Sequence, residues 1–390
     1  MIWYSILTFT NFVNEDNGDK SLISLYEISN VSRLFAYSNP FRLEIREELT
    51  FNSVNFNKSP SVISVVARFN WLMIADFKIE GYIDKNADLL KNSFAGKPVI
   101  LPQKLQNREK ICVLICTIRP TTIKQIQQMC KEKEIECYPI DEVILKLHRK
   151  EVMQCFDLLE DEQSKKIYAE LTEARITGQN IGDEIQSYPA YFSLPIFKKE
   201  DQKEVFVDCG AYDGDSIGEY LKQKNAVFDK IIAFEPDTEN FKKLQRTIEN
   251  ECEKWNISQE KFEIYPYAIG EKSSVGKFER YEGNNGIASK MLDASSEQGE
   301  ECKVVSLDEF LTEPYSFLKA DIESFEYKML LGAKESIKKN KPLLAICIYH
   351  NAVDFYSIPL LIKEILPEYK IAIRHHLDDT SETVVYAWVE

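Results

Sequence analysis

The stretch 204–237, EVFVDCGAYDGDSIGEYLKQKNAVFDKIIAFEPD, decides the fold. Val205, Phe206 and Val207 form an apolar run that ends at Asp208 and enters a turn carrying Gly210 and Gly214. Glycine in such a turn lets the backbone approach a ligand that a side chain would hold off. A helical segment follows, and a second apolar run, Ile231 to Phe234, ends at Glu235. Standing about 20 residues past the turn, a carboxylate at the carboxyl end of the second strand can accept hydrogen bonds from two ribose hydroxyls. The pattern predicts a nucleoside-binding strand-helix-strand unit.

The turn's charge narrows the nucleoside. A dinucleotide rests its pyrophosphate on a helix N-terminus, and the G-x-G-x-x-G turn that receives it is free of negative charge. Here the spacing is D-x-G-x-x-x-G, and Asp208, Asp213 and Asp215 crowd it. That crowd repels a pyrophosphate and suits a sulfonium and an α-ammonium group. S-adenosylmethionine is the expected cofactor.

Length and composition set the bounds. At 390 residues, two domains are expected. With 44% hydrophobic and 28% charged residues the chain reads as globular. A net charge of −15 argues against nucleic acid as a partner and favours a small neutral or cationic substrate. The nine cysteines show neither a disulfide framework nor paired zinc spacing, which points to the reducing cytoplasm. The N-terminal MIWYSILTFTNF lacks a basic leader and a cleavage site, and no apolar run is long enough to span a membrane.

Three parts are expected along the chain. Residues 1–145 read as a small degenerate Rossmann-like α/β domain, with no assignable element in 1–60. Its strand-like runs are SVISVVARF, FKIEGYIDKN, GKPVILP, ICVLIC and IECYPI, with the helical TTIKQIQQMCKEK between the last two. Where phosphate-binding glycines would stand, the first run is followed by Asn70 and Trp71, so a scaffold role, or docking of a partner or of a second copy in a homo-oligomer, is the default. Residues 146–200 read as a helical linker with stripes Val152, Phe156, Leu159 and Ile167, Leu171, Ile176. Residues 201–390 read as a complete α/β domain.

In that domain the strands after IIAFE are KFEIYPYAIG, SFLKADIES and PLLAICIYH, closed by YKIAIRHH and TVVYAWV. Parallel strands with crossover helices and a final antiparallel pair predict a doubly wound, seven-stranded, mostly parallel sheet. Ligands of such sheets lie beyond the carboxyl ends of the strands, which gathers Asp208, Glu235, Ala268, Asp321, Glu323 and His350.

In order, VDCGAYDGDS, AFEPDTENFKKL, YAIGEKSSVGKF, VVSLDEFL, FLKADIESFEYKMLLGAKESIKKNKP and AICIYHN resemble the FkbM family of S-adenosylmethionine-dependent methyltransferases over about 150–390. The resemblance implies a class I methyltransferase-like fold and O-methylation of a sugar, glycan precursor or secondary metabolite, so that the partner is a small-molecule or glycan acceptor. It also implies cofactor contacts from Asp208, Gly210, Ala211, Gly214, Asp215 and Ser216, from Glu235 and Pro236, and from Ala268 and Asp321. Ser324 departs from the pattern, because a glycine usually follows D-[IV]-E.

Transfer to a hydroxyl requires a base that takes its proton. His350, with an ordinary pKa near ~6.5, is the expected base. Asp321 is its rival, and Glu323 orients His350 or binds the acceptor. A duller reading has Asp321 and Glu323 capping the helix near Glu326. His375 and His376, read as half exposed beside Asp378 and Asp379, do not make a metal site, and no metal is expected. Tyr265, Tyr267 and Tyr349 are candidates to stack on a ligand, and GNNGIAS (283–289) to cover it. Two other functions remain open: a catalytically silent S-adenosylmethionine- or nucleotide-binding scaffold, and a nicotinamide-dependent oxidoreductase.

Overall fold

A computed structural model describes residues 6–7, 62–63, 79–84, 93–94, 97–106, 112–117, 119–198, 203–279, 290–292 and 299–389. The chain divides into two compact units. One comprises Met1–Phe156, Lys165–Asp183 and Asp378–Thr380, the other Asp157–Ser164, Glu184–Leu377 and Ser381–Glu390.

The first unit holds a mixed sheet of β1 (Ile6–Leu7), β2 (Val62–Ile63), β3 (Ile79–Ile83), β4 (Ser93–Phe94), β5 (Lys97–Ile100), β6 (Cys112–Ile115) and β7 (Glu136–Pro139). Their order is β4-β5-β3-β1-β6-β7, with β2 against β3. The pairs β3–β5 and β6–β7 are parallel as the alternating pattern predicts, but β1 runs antiparallel between β3 and β6. That strand falls in the region where the sequence offered no assignment. Helix α1 (Pro120–Glu132) joins β6 to β7 and buries Ile123, Ile126 and Cys130 against Val113 and Ile115. The Asn70–Trp71 turn lies outside the described residues.

Three helices follow: α2 (Ile140–Leu147), α3 (Arg149–Leu158) and α4 (Glu162–Thr177). Of the stripes read for this stretch, Val152, Phe156, Leu159, Ile167 and Leu171 are buried, while Ile176 is half-buried.

The second unit is built on β8 (Val205–Cys209), β9 (Lys230–Phe234), β10 (Phe262–Tyr265), β15 (Phe317–Ala320), β16 (Leu343–Cys347), β17 (Lys370–His375) and β18 (Thr383–Trp388). The order β10-β9-β8-β15-β16-β18-β17 has five parallel strands and two antiparallel pairings at one edge, as expected. Between β8 and β9 runs α5 (Asp215–Gln223), and between β9 and β10 runs α6 (Thr238–Trp255). Asp237 caps α6 by accepting from the backbone N–H groups of Glu239 and Asn240. Helices α8 (Glu326–Leu331) and α9 (Lys334–Asn340) link β15 to β16, and α10 (Asp354–Ile365) links β16 to β17.

The chain first builds outward from β8 through β9 to β10, then returns to add β15 on the other side of β8. The switch point of the sheet therefore lies between β8 and β15. Phe206 and Phe317 stack across that junction at 4.6 Å and anchor an aromatic core with Phe192, Phe197, Tyr220 and Tyr386.

KFEIYPYAIG is not one strand. Pro266 has no N–H to give a ladder, and the run splits there. Beyond it, β11 (Ala268–Ile269) joins a separate four-stranded sheet with β14 (Glu300–Val305), β12 (Ser274–Glu279) and β13 (Lys290–Leu292), which the sequence reading did not anticipate. Helix α7 (Leu307–Phe310) follows it. No helix among the described residues is long and apolar enough to cross a membrane.

Candidate functional site

The turn after β8 is closed mainly by the protein itself. The amides of Gly210 and Ala211 both donate to the Phe234 carbonyl at the end of β9, at 2.9 and 3.0 Å. Gly210 and Gly214 have φ of 79° and 90°, a region that disfavours any residue with a Cβ. A Cβ on Gly210 would fall 1.9 Å from the Asp321 carbonyl oxygen, and one on Gly214 would fall 2.9 Å from Thr247 Cγ2. Ligand access is thus not the only reason for glycine here: neighbouring chain already occupies the space.

Asp208, expected among the acids facing the ligand, is fully buried. Its Oδ2 accepts from Ser216 Oγ at 2.5 Å, and its Oδ1 lies 2.9 Å from Lys319 Nζ. Lys319, also buried, donates to the Gly210 carbonyl at 2.7 Å. Burial pushes the Asp208 carboxyl above its ordinary range, and Lys319 and Ser216 offset that only in part. The acids of the turn that remain open to a ligand are Asp213, half-buried, and Asp215, exposed at the start of α5. Ala211 and Ser216 are buried.

Glu235 ends β9, nearly out of solvent. Its Oε2 accepts from the Tyr212 amide at 2.9 Å and its Oε1 from the Asp237 amide at 2.8 Å. Burial pushes its pKa up to about 7 against the pull of those two amides. Pro236 follows, half-buried. One strand further, Tyr265 and Tyr267 stack at 5.7 Å, Phe310 meets Tyr265 edge-on at 4.9 Å, and Lys303 Nζ lies 4.1 Å from the Tyr267 ring centre. Ala268 is buried beside them in β11.

The ends of β15 and β16 bring Asp321, Glu323 and His350 together. His350 Nε2 lies 3.3 Å from Asp321 Oδ1 and 3.7 Å from Glu323 Oε2, and Nδ1 lies 3.2 Å from Glu326 Oε1. Tyr191 donates to Asp321 Oδ2 at 2.8 Å and Tyr349 to Oδ1 at 3.2 Å. Asp321 is therefore a well-held anion. Burial raises its pKa, but the His350 and Lys319 cations and the Tyr191 hydroxyl outweigh burial and hold it below the ordinary range.

His350 does not have the near-neutral pKa expected of a base. Burial favours its neutral ring, yet the charges of Glu326 and Glu323 and the contact with Asp321 prevail, so its pKa stands well above the ordinary value. Glu323 is pushed up to about 7 by burial, with Asp321 and Glu326 adding to it and His350 opposing. Glu382, also held up to about 7 by burial and by Asp321, belongs to the same charge cluster.

Capping does not account for these acids. Phe325 stands at the N-cap of α8 with no side-chain bond, and it is Glu326 that turns back to accept the Ile322 amide at 2.7 Å. Glu323 and Ser324 both have positive φ, 52° and 79°, so Ser324 occupies a conformation that glycine would take freely.

His375 and His376 are buried, not half exposed. His375 Nδ1 pairs with Thr383 Oγ1 at 2.9 Å, and His376 contacts the Ser187 carbonyl and the Tyr386 hydroxyl. Segment 283–289 lies outside the described residues. Tyr191, Lys319, Glu326 and Glu382 were missed from sequence. Lys319 could have been found, since it stands two residues before Asp321 on one strand and so shares its face. Tyr191 sits in an irregular stretch with no periodicity to mark it.

Residues 208–369 match the methyltransferase FkbM domain. Over 93% of its length the chain is similar in fold to the whole of the methyltransferase FkbM of Methylobacillus flagellatus KT, at 17% identity and a TM-score of 0.54. It is also similar, over 50% of its length, to 92% of an rRNA methylase of Streptococcus thermophilus (13% identity, TM-score 0.32). A Streptococcus mutans protein solved in complex with SAH aligns with 49% of the chain over 92% of its own (13% identity, TM-score 0.31). No curated protein matches the chain.

Proposed function

We propose that this chain, which carries a methyltransferase FkbM domain at 208–369, moves the methyl group of S-adenosylmethionine to a hydroxyl oxygen of a small-molecule or glycan acceptor. The observation that carries the reading is Glu235: a buried carboxylate at the end of β9, bonded to the Tyr212 amide of the glycine turn, beside the sheet's switch point. Each of its oxygens already accepts one backbone amide and can accept a second donor, and with the acids Asp213 and Asp215 and the left-handed glycines this suits a ribose joined to a cationic amino-acid moiety.

In this reading Gly210, Ala211, Gly214, Asp215 and Ser216 shape the cradle, with Asp208 supporting it from behind. Glu235 and Pro236 hold the ribose, Ala268 and the Tyr265–Tyr267 pair flank the base, and Asp321 faces the reacting end. When bound, the cofactor supplies a methyl carbon whose C–S bond breaks, leaving its electron pair on sulfur, as the C–O bond forms. The proton must go to a group the acceptor can touch. Glu323, with 38% of its side chain exposed, is the carboxylate open to it, while Tyr191, Tyr349 and His350 already engage Asp321.

Residues 201–390 are the transferase part, 146–200 the helical bridge, and 1–145 a scaffold or docking part. None of the nine cysteines is in a disulfide, and a cytoplasmic setting suits them.

Calorimetric titration of the purified chain with S-adenosylmethionine and with NAD tests the reading. S-adenosylmethionine should bind and NAD should not, and Glu235→Ala should weaken binding by roughly 1 to 3 kcal/mol. Binding left intact by that change would remove Glu235 from the site.

A further inference from the structure

The mouth of the second unit carries more negative charge than its own cations balance. Asp321, Glu323 and Glu326 face His350, and the nearby Lys319 is already matched to Asp208. Even a protonated imidazole leaves three carboxylates against one positive charge. Glu326 is completely buried, and its Oε2 has no hydrogen-bond partner. Both ring nitrogens of His350 lie close to carboxylate oxygens, yet neither is aligned as a hydrogen bond, although 6% of the side chain is exposed. Buried charge left in this state is costly unless a further cation joins it.

One ligand atom each from Asp321, Glu326 and His350 lie within 4.8 Å of one another. A single ion with bonds of about 2.0–2.2 Å holds its ligand atoms no more than about 4.4 Å apart, so binding draws this set inward by a few tenths of an ångström. Outer contacts that orient metal ligands are present: Tyr191 and Tyr349 donate to Asp321, and the Ile322 amide donates to Glu326. We propose that Asp321, Glu326 and His350 bind a divalent cation. Two carboxylates and one imidazole favour Mn²⁺, Mg²⁺ or Fe²⁺ over a thiolate-seeking metal. Two positive charges also offset the three carboxylates better than one proton does.

The inference rests on the methyltransferase reading for its purpose. An ion here would draw electron density from the acceptor hydroxyl; the O–H proton leaves to Glu323, the oxygen takes the methyl carbon, and sulfur keeps the C–S pair. Sequence reading saw no metal motif because the three ligands come from two strand ends and a helix start, with no regular spacing.

The test is titration of the chelator-treated full chain with Mn²⁺, followed by electron paramagnetic resonance of the free ion. One ion per chain should bind. Glu326→Gln and Asp321→Asn should each weaken binding by about tenfold or more, and Mn²⁺ should raise the melting temperature of the wild type but not of these variants. Mn²⁺ should also broaden one of the four histidine ring signals first, and that signal should be missing from His350→Gln. Absence of saturable binding, binding untouched in the folded variants, or a different histidine broadened first overturns the proposal. S-adenosylmethionine binding without Mn²⁺ binding sinks this inference alone, whereas Mn²⁺ binding without S-adenosylmethionine binding sinks the reading beneath it.

Discussion

Lys319 and Asp208 stand opposite each other on neighbouring parallel strands, and their side chains close a 2.9 Å ion pair with almost no solvent contact. The same ammonium holds the Gly210 carbonyl, so one cation ties the end of β8 to the turn that follows it. The two strands flank the switch point, which makes this pair the inner wall of the candidate site.

Replacing Lys319 by Met leaves Asp208 buried with Ser216 as its one remaining donor. We expect a loss of about 3 to 5 kcal/mol in unfolding free energy, the usual result of removing one partner of a buried pair. The double variant Lys319→Met, Asp208→Asn should recover part of it, as read by denaturant unfolding. Equal losses in the single and double variants would mean that the pair is not what holds the turn.

Glu235 predicts a pH dependence. Its folded carboxyl, with a pKa of about 7, holds a proton more tightly than the unfolded chain does. The stability this group contributes is therefore present below the ordinary glutamate range and is lost as pH rises through about 7. Between pH 4.5 and 8 the wild type should lose on the order of 3 kcal/mol relative to Glu235→Gln. Parallel stability profiles from thermal melts of the two proteins would show that the shift is absent.

Ser324 sits at φ 79° directly after Glu323 at 52°. Ser324→Gly removes a left-handed penalty of about 1 to 2 kcal/mol, and the greater freedom of glycine in the unfolded chain gives back part of it. A net gain of up to about 1 kcal/mol is expected, measured as a raised melting temperature. A lower melting temperature would mean that the serine side chain has a compensating contact.

The second unit's sheet was legible because β8, β9, β15 and β16 are short apolar runs that each end in a polar residue at the mouth. The same logic brought Asp208, Glu235, Asp321 and His350 to one edge of the sheet. It failed where a side chain's surroundings matter more than its place in the chain. Asp208 looked like a free acid because Lys319 lies far away in sequence. His350 looked like a neutral base because Glu326, at the start of α8, reads as a surface helix residue. The small sheet of β11 to β14 was hidden because strand-like residues continue on both sides of Pro266, whose missing N–H was the one mark that the run splits. In the first unit, β1 is two residues long and takes its place from its neighbours β3 and β6, so it left no pattern to read.

Asp321 receives the hydroxyl of Tyr191, which precedes the matched domain, while Glu382 follows it. Grafting 208–369 alone onto another chain would therefore transplant the floor of the site without its walls. Divergence in those flanking stretches could also retune what enters while the domain itself stays unchanged.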